Sequence, residues 1–181
     1  AQRYDANGDT NGAEFQVNTY TAYSQKNPST TALNDGGFVI SWKSQYQDDG
    51  PNAGVYAQRY DANGDANGAE FQVNTYTSYG QGSSDITALN DGGFVITWKS
   101  TLQDGNGKSV HAQIYDTDGD KVGSEFQVNT YTTSDQETPS ITTLSDGGFV
   151  ITWQSEDQDG DDYGIYAQIY DTDGDKVGSE F

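Results

Sequence analysis

Residues 84–98 read SDITALNDGGFVITW, and this stretch is typical of two short strands joined by a tight turn. The first strand contains β-branched residues, and the paired glycines Gly92 and Gly93 supply the positive φ angles that a hairpin turn needs. Residues 94–98 carry apolar side chains on both faces of the second strand, since alternate side chains point in opposite directions. A strand of this kind must be covered on both faces.

Two further strand signals follow in the same unit. VHAQIY at 110–115 leads into the turn sequence DTDGD at 116–120, and SEFQVN at 124–129 alternates apolar with polar residues. Polar loops join these hairpins, and no segment has an extended apolar period of 3.6 residues, so we expect almost no helix. Each unit therefore predicts four short antiparallel strands.

The unit is repeated along the chain. AQRYDANGD begins at Ala1 and Ala57, and AQIYDTDGD begins at Ala112 and Ala167, at spacings of 56, 55 and 55 residues. Four-stranded units of this length are typical of β-propeller blades. We predict an all-β fold of propeller-like blades, with an open stacked β-repeat array as the alternative and a prism or trefoil as a weaker one. The predicted units are a partial blade at 1–18, made of an outer hairpin, and blades at 29–74, 84–129 and 140–181.

The chain of 181 residues is strongly acidic, with 28 Asp and Glu against eight Lys and Arg and a formal net charge of −20. This charge repels nucleic acid and anionic membranes and attracts cations. The aromatic residues recur at fixed repeat positions, which predicts a folded protein with Trp42, Trp98 and Trp153 buried between blades. The absence of Cys and Met excludes disulfides and thiolate chemistry and suits an extracellular protein. No apolar stretch is long enough to span a membrane as a helix.

The acidic turn after the third strand is the predicted metal site. Oxygen ligands at alternate positions of a tight loop can converge on Ca²⁺, which takes about six to eight of them. The sequence departs from an EF-hand, because Gly is missing at the sixth position and Gln replaces the bidentate Glu. The alternative is a metal-free turn in which the Asp side chain bonds to the backbone. The candidate Ca²⁺ ligands are Asp5, Asn7, Asp9, Asp61, Asn63, Asp65, Asp116, Asp118, Asp120, Asp171, Asp173 and Asp175.

A second acidic cluster lies in the loop between the second and third strands. We interpret it as a solvated loop, and only its third copy is dense enough to hold an ion. Its members are Asp48, Asp49, Asp104, Asp157, Asp159, Asp161 and Asp162.

Repetition also bears on catalysis. The paired carboxylates of a glycosidase should occur once, in a cleft, whereas nearly every Asp here has a copy in each repeat. We therefore predict that the chain is not an enzyme. The single histidine, His111, stands where the other copies have Tyr56 and Tyr166, and we interpret it as a tolerated substitution in a strand.

Tyrosines between the blades suggest a carbohydrate ligand. Exposed tyrosine with amide neighbours can stack on a sugar and hydrogen-bond to it, although such a tyrosine can instead close the gap between blades. The residues concerned are Tyr20, Tyr76 and Tyr131, near Gln25, Gln81 and Gln136.

The motifs DGGFV-x-x-W, YAQ-x-YD and G-x-EFQVN together resemble the tandem repeats of very large secreted bacterial surface proteins, the adhesins and RTX-type calcium-dependent exoproteins. The resemblance spans essentially the whole chain. It implies an extracellular or cell-surface location, calcium-rich surroundings and an adhesive or structural role without catalysis. The RTX nonapeptide is absent, so its calcium ligands are not carried over.

The partners follow from the repeat. The chain begins and ends on the same hairpin, so its first blade lacks two inner strands, and unpaired strand edges are templates for another chain. We expect other copies of the chain as partners, in a filament or a ring. The alternative function is a lectin with one weak glycan site per repeat. We expect neither a nucleic-acid partner nor membrane insertion.

Overall fold

The computed structural model of the protein describes residues 1–47, 50 and 52–181. They form three four-stranded antiparallel sheets and no helix, so the predicted all-β fold of propeller-like blades is confirmed. None of the described residues builds a helix that could cross a bilayer. Blade 1 contains β1 (Gln25–Ala32), β2 (Phe38–Gln45), β3 (Ala53–Tyr60) and β4 (Phe71–Gln72); blade 2 contains β5 (Gln81–Ala88), β6 (Phe94–Thr101), β7 (Lys108–Tyr115) and β8 (Lys121–Gln127); blade 3 contains β9 (Gln136–Thr143), β10 (Phe149–Glu156), β11 (Tyr163–Tyr170) and β12 (Lys176–Val177).

Each blade is a meander in which successive strands are neighbours. The first strands of adjacent blades contact each other, β1 with β5 and β5 with β9. The paired-glycine turn and the acidic turn lie together at one end of each blade, which we call the turn end. A Cβ atom on Gly37 would lie 2.3 Å from the carbonyl oxygen of Tyr60, so glycine is required where the two turns meet. The opposite end, with the β2–β3 loops and the blade linkers, is the loop end.

The inner strands begin three or four residues earlier than the predicted blades, at Gln25, Gln81 and Gln136. A register shift interrupts the pairing of each inner strand with its neighbour. At that point Asn27 and Ser83 have φ angles of 55° and 52°. A β-bulge of this kind breaks the alternation of side chains, which explains why the polar start of each strand reads as a loop.

Apolar packing joins the blades. Each blade has an N-side face, which contacts the preceding blade, and a C-side face, which contacts the following one. Trp98 and Ile96 on the N-side face of blade 2 pack against Val39 and Val55 on the C-side face of blade 1, and we call this contact seam 1/2. The equivalent residues of seam 2/3 are Trp153, Ile151, Val95 and Val110. The predicted burial of the three tryptophans is confirmed.

Polar contacts across the seams repeat as well. The ammonium group of Lys121 in blade 2 donates to the carbonyl oxygen of Val73 in blade 1 at 2.8 Å. Lys176 in blade 3 makes the same contact with Val128 in blade 2, also at 2.8 Å. Because these contacts satisfy main-chain oxygens in equivalent places, they set the same spacing in both seams.

The segment 1–18 packs beside blade 1. Phe15 and Val17 contact the N-side face of this blade. The cover is incomplete, because a cavity of about 430 Å³ remains over Ile40 and Trp42. The N-side face of blade 2 is covered differently, because Val39 from the second strand of the preceding blade packs against it.

His111 is buried on β7, where its ring faces that of Trp98 with centroids 6.3 Å apart, and its Nε2 lies 3.0 Å from the hydroxyl of Ser109. The other two copies carry Tyr at this position and Gly two residues earlier. A Cβ atom on Gly54 would lie 3.2 Å from the Tyr56 ring, so the large ring needs the glycine. Serine and histidine have therefore replaced glycine and tyrosine together. Burial lowers the pKa of His111 to about 4, against the opposing charges of acidic neighbours.

Trp98, at seam 1/2, should contribute more to the free energy of unfolding than Trp42, which lies beside the cavity. We expect Trp98→Ala to lower the free energy of unfolding by about 3–5 kcal/mol, the usual cost of deleting a large core aromatic. Trp42→Ala is the matched control and should cost less, because the space over Trp42 is already partly empty. Urea unfolding of both variants measures the difference, and equal losses would contradict this account of the packing.

His111 should make stability depend on pH. Its pKa in the folded state lies below the ordinary value of about 6.5, so the unfolded chain takes up a proton first as the pH falls. Stability is therefore lost as the pH falls from about 6.5 towards 4. The double variant Ser109→Gly/His111→Tyr, which restores the pairing of the other copies, should lose about 2 kcal/mol less than the natural chain between pH 7 and pH 5. Chemical denaturation at both pH values checks this, and parallel losses in the two proteins would refute it.

Candidate functional site

The acidic turns are closed by their own first aspartate. Oδ1 of Asp116 accepts hydrogen bonds from the backbone N–H groups of Asp118 and Asp120, at 3.0 and 2.9 Å. The first aspartates of the other three copies, Asp5, Asp61 and Asp171, make the same two contacts. At Asp61 this bond from Asp65 is the largest cause that lowers the pKa of the carboxyl group. The geometry is that of the metal-free alternative, an Asx turn.

Among the described residues, no group of three or more Asp, Glu, His or Cys side chains is placed to hold a metal ion. Ten of the twelve candidate ligands are exposed, and the other two, Asp61 and Asp116, are half-buried. Calcium binding by the twelve candidate ligands stays a prediction.

The second acidic cluster also consists of loop residues. Asp48 and Asp49 lie outside the described residues. Oδ1 of Asp104 accepts from the N–H of Asn106 at 3.1 Å, so this carboxylate too supports its own turn. The members in the third copy, Asp157, Asp159, Asp161 and Asp162, are exposed.

The tyrosines of the blade linkers are tied to the neighbouring loop. The hydroxyl group of Tyr20 donates to the carbonyl oxygen of Tyr46 at 3.0 Å. Tyr76 and Tyr131 make the equivalent contacts, with Leu102 and Asp157, each at 3.4 Å. The side-chain amides of Gln25 and Gln136 donate to linker carbonyls at 2.8 Å. These contacts favour the alternative in which the tyrosines close the gap between blades.

A different aromatic group is open to a ligand. The rings of Tyr23 and Tyr46 meet edge to face at the loop end of blade 1, with centroids 4.7 Å apart and planes at 82°. Tyr23 is 68% exposed and Tyr46 is 38% exposed. The sequence analysis did not identify this pair. The available signal was that Tyr46 has no aromatic counterpart in the other repeats. The equivalent pairs are Tyr79 with Leu102 in blade 2 and Ser134 with Asp157 in blade 3.

Charged residues that are not shared by all three blades lie at the same end. The turn end repeats from blade to blade, whereas the starts of the first and third strands and the end of the second differ in charge between blades, with Lys43 and Lys99 as one position that two blades share. Blade 1 has Lys26 and Lys43, blade 2 has Lys99 and Lys108, and blade 3 has Asp135, Glu137 and Glu156. The loop end is therefore the part of the molecule in which each blade presents its own chemistry.

The lysines of blade 2 are neutralised across seam 2/3. Lys108 contacts Asp135 at 2.6 Å and Glu137 at 3.0 Å, and Lys99 contacts Glu137 at 3.3 Å. The hydrogen bond to Asp135 is the main cause that raises the pKa of Lys108. The partly buried positions of these groups make the network stronger than isolated surface pairs.

The lysines of blade 1 have no acidic partner among the described residues. Lys26 and Lys43 stand opposite each other in the pairing of β1 with β2. A cleft of about 120 Å³ opens beside them and is also lined by Ser24, Gln45 and Ala53. Burial, and then the positive charges of Lys99 and Lys26, lower the pKa of Lys43.

One further carboxylate has no copy. Asp85 on β5 stands where the other blades have Ser29 and Ser140, and it accepts hydrogen bonds from both hydroxyl groups, at 2.7 and 3.0 Å. It also accepts from the N–H of Ile141 at 3.0 Å. Asp85 thus joins the inner strands of all three blades.

The sequence matches no protein-family model and no curated protein. Solved structures with a similar fold include the Hadza microbial sialidase Hz136, with a TM-score of 0.60 and 12% identity over 84% of this chain and 36% of that one. The endo-arabinase from Bacteroides thetaiotaomicron VPI-5482 has a TM-score of 0.54 and 14% identity over 89% and 62% of the two chains. A thermostable family-43 glycoside hydrolase has a TM-score of 0.54 and 12% identity over 84% and 53%. This chain thus spans between 36% and 62% of the length of the three.

These structures support the repeated β-blade architecture, whereas membership of the adhesin repeats stays a prediction. They contradict the prediction that the chain is not an enzyme, because the three solved structures are by name a sialidase, an endo-arabinase and a family-43 glycoside hydrolase. The physical fault in that prediction is that it considered only the repeated carboxylates. Asp85, Asp135, Glu137 and Glu156 have no copies in the other blades, so repetition says nothing about them.

Proposed function

We propose that the chain recognises carbohydrate at the loop end of blade 1. The observation that carries the proposal is the exposed edge-to-face pair of Tyr23 and Tyr46 beside a polar cleft. An aromatic ring can cover the apolar face of a sugar, while hydroxyl, amide and ammonium groups hydrogen-bond to its edge. Sugar-binding sites combine these two kinds of surface.

The neighbouring groups suit this role. Ser24 and Gln45, which follow Tyr23 and precede Tyr46 in the chain, bring a hydroxyl and an amide group into the cleft. Both tyrosine side chains are exposed, so their hydroxyl groups can reach a ligand. Both tyrosines have φ angles near 60°, of 58° and 60°, and their counterparts Leu102, Ser134 and Asp157 share this conformation, so the backbone of the repeat and not the tyrosine sets it.

The blade architecture that the chain shares with glycoside hydrolases supports the same class of ligand, and sugar binding is the step that hydrolases and lectins have in common. Function must still be argued from the site, so the aromatic pair and not the fold is the basis of the proposal. Calcium binding and an extracellular location stay predictions beside it.

Removing one ring of the pair should weaken glycan binding. We expect Tyr46→Ala to reduce the affinity for an oligosaccharide ligand by about tenfold, the loss typical of a central aromatic contact. Tyr4→Ala is the matched control, because Tyr4 is an exposed tyrosine near the opposite, turn end. A glycan array identifies the ligand, and calorimetry measures both variants. Equal affinities for Tyr46→Ala and the natural chain would contradict the proposal.

Self-association is a second candidate function, and a specific observation favours it. Val55 and Val110 on the C-side faces of blades 1 and 2 are both 0% exposed, whereas Ile165, at the same position of blade 3, is 73% exposed. The N-side face of blade 1 is in turn left partly open by the cavity over Trp42. One copy therefore carries both halves of a seam, and we propose a head-to-tail contact between copies.

A charge on the open face should break that contact. In light scattering of the 181-residue chain, we expect association that Ile165→Lys abolishes. Val122→Lys is the control, because Val122 is also an exposed aliphatic residue but lies on an outer strand, β8. A monomeric natural chain at high concentration, or the same loss of association in both variants, would refute the head-to-tail contact.

A further inference from the structure

We propose that the cleft at the loop end of blade 1 binds a carboxylate group of an acidic glycan, held by Lys26 and Lys43. This inference rests on the proposed carbohydrate site, to which it assigns a class of ligand. Seam 2/3 is the reference for this proposal, because there a carboxylate of the chain contacts Lys99, the counterpart of Lys43.

In seam 2/3 the carboxylate belongs to Glu137 on β9. It lies between the ammonium groups of Lys99, at 3.3 Å, and Lys108, at 3.0 Å. Lys99 comes from the end of β6 and Lys108 from the start of β7, so one blade supplies both cations and the next supplies the anion. Charge-assisted contacts of this kind are among the stronger polar interactions in proteins.

In seam 1/2 the anion is missing. Gly82 stands in place of Glu137, and Lys43 stands in place of Lys99. The stem of Lys43 lies over this glycine, since a Cβ atom there would be 2.7 Å from its Cδ. Ala53 replaces Lys108 at the start of the third strand, and the smaller side chain lines the cleft of about 120 Å³.

The second cation comes from another place. Lys26 lies directly across the strand pair from Lys43, and both lysines line the cleft. Like charges directly opposite each other on antiparallel strands are destabilising. In a chain with 28 acidic residues, neither lysine has an acidic partner among the described residues. A ligand carboxylate would supply the charge that Glu137 supplies in the next seam.

The surroundings point to a sugar acid rather than to a simple anion. Ser24 and Gln45 line the cleft, and each is adjacent in the chain to one ring of the Tyr23–Tyr46 pair. A ligand with a carboxylate on a pyranose ring meets both surfaces, whereas an inorganic anion meets only the lysines. A uronic acid oligosaccharide is therefore the fitting probe.

The first experiment isolates the charge. Calorimetric titration compares a trigalacturonate with its methyl ester, which keeps the sugar rings and removes the carboxylates. We expect the ester to bind at least about tenfold more weakly. Equal affinities for the two forms, or binding of the ester alone, would overturn the carboxylate site. A sulfated oligosaccharide that binds as tightly as the uronate would also overturn the assignment to a carboxylate.

Two variants locate the site. Lys43→Gln should weaken trigalacturonate binding by about tenfold, whereas Lys99→Gln, the same change at the equivalent paired lysine, should alter it by less than about twofold. Gly82→Glu supplies an internal carboxylate, as in seam 2/3, after the flexible end of Lys43 moves aside. We expect this variant to lose ligand binding and to gain thermal stability. Circular dichroism confirms that each variant is folded, and unchanged binding in both Lys43→Gln and Gly82→Glu would refute the site.

The outcomes separate this inference from the carbohydrate proposal. If a neutral oligosaccharide binds and depends on Tyr46 but not on Lys43, the carbohydrate site stands and the carboxylate site fails. If trigalacturonate and free acetate both bind through Lys43, without any effect of Tyr46→Ala, the anion site stands and carbohydrate recognition fails. If both proposals are correct, trigalacturonate binding depends on Tyr46 and on Lys43.

Discussion

The packing of one blade's tryptophan face against the valines of the preceding blade is the contact on which the rest of the structure depends. A single four-stranded sheet of this chain is apolar on both sides and cannot be stable in water alone. Burying Trp98 against Val39 and Val55 stabilises two sheets at once, and it fixes which residues of adjacent inner strands come together. The ion pairs of seam 2/3 and the position of Lys43 over Gly82 both follow from that register.

Much of the fold could be predicted from sequence because its determinants are local. The paired glycines, the acidic turns and the alternating strands carry their structural meaning within a few residues, and the turn geometry around Asp116 follows directly. The β-bulges could not be predicted in this way. Their φ angles, such as 55° at Asn27, result from the pairing of β1 with β2, and neither the polar residues nor the repeat signals the extra residue.

The candidate site was harder to predict than the fold, for a physical reason. Repetition draws attention to the residues that recur, and these close turns and fill seams. The charges that distinguish the blades act across seams, where Glu137 meets Lys99 from a strand 38 residues earlier in the chain. Lys99 contacts the carboxylate of Glu137, whereas its counterpart Lys43 lies over Gly82. Only the packing of successive blades shows this difference. The sequence contains the difference between Gly82 and Glu137, but its consequence requires the structure.

The distribution of the basic residues follows from the net charge of −20. An acidic chain of this kind repels itself, so each cation stabilises most where it joins two blades. Arg3 and Arg59 reach carbonyl groups in the turn of the following blade, Lys121 and Lys176 reach carbonyls of the preceding one, Lys99 and Lys108 pair with acids across seam 2/3, and Lys43 lies over Gly82. The side chains of Lys26 and Lys43 make no hydrogen bond or ion pair within the described part of the chain. Two like charges opposite each other in an open cleft repel, and the anionic ligand that we propose for the cleft would relieve that repulsion.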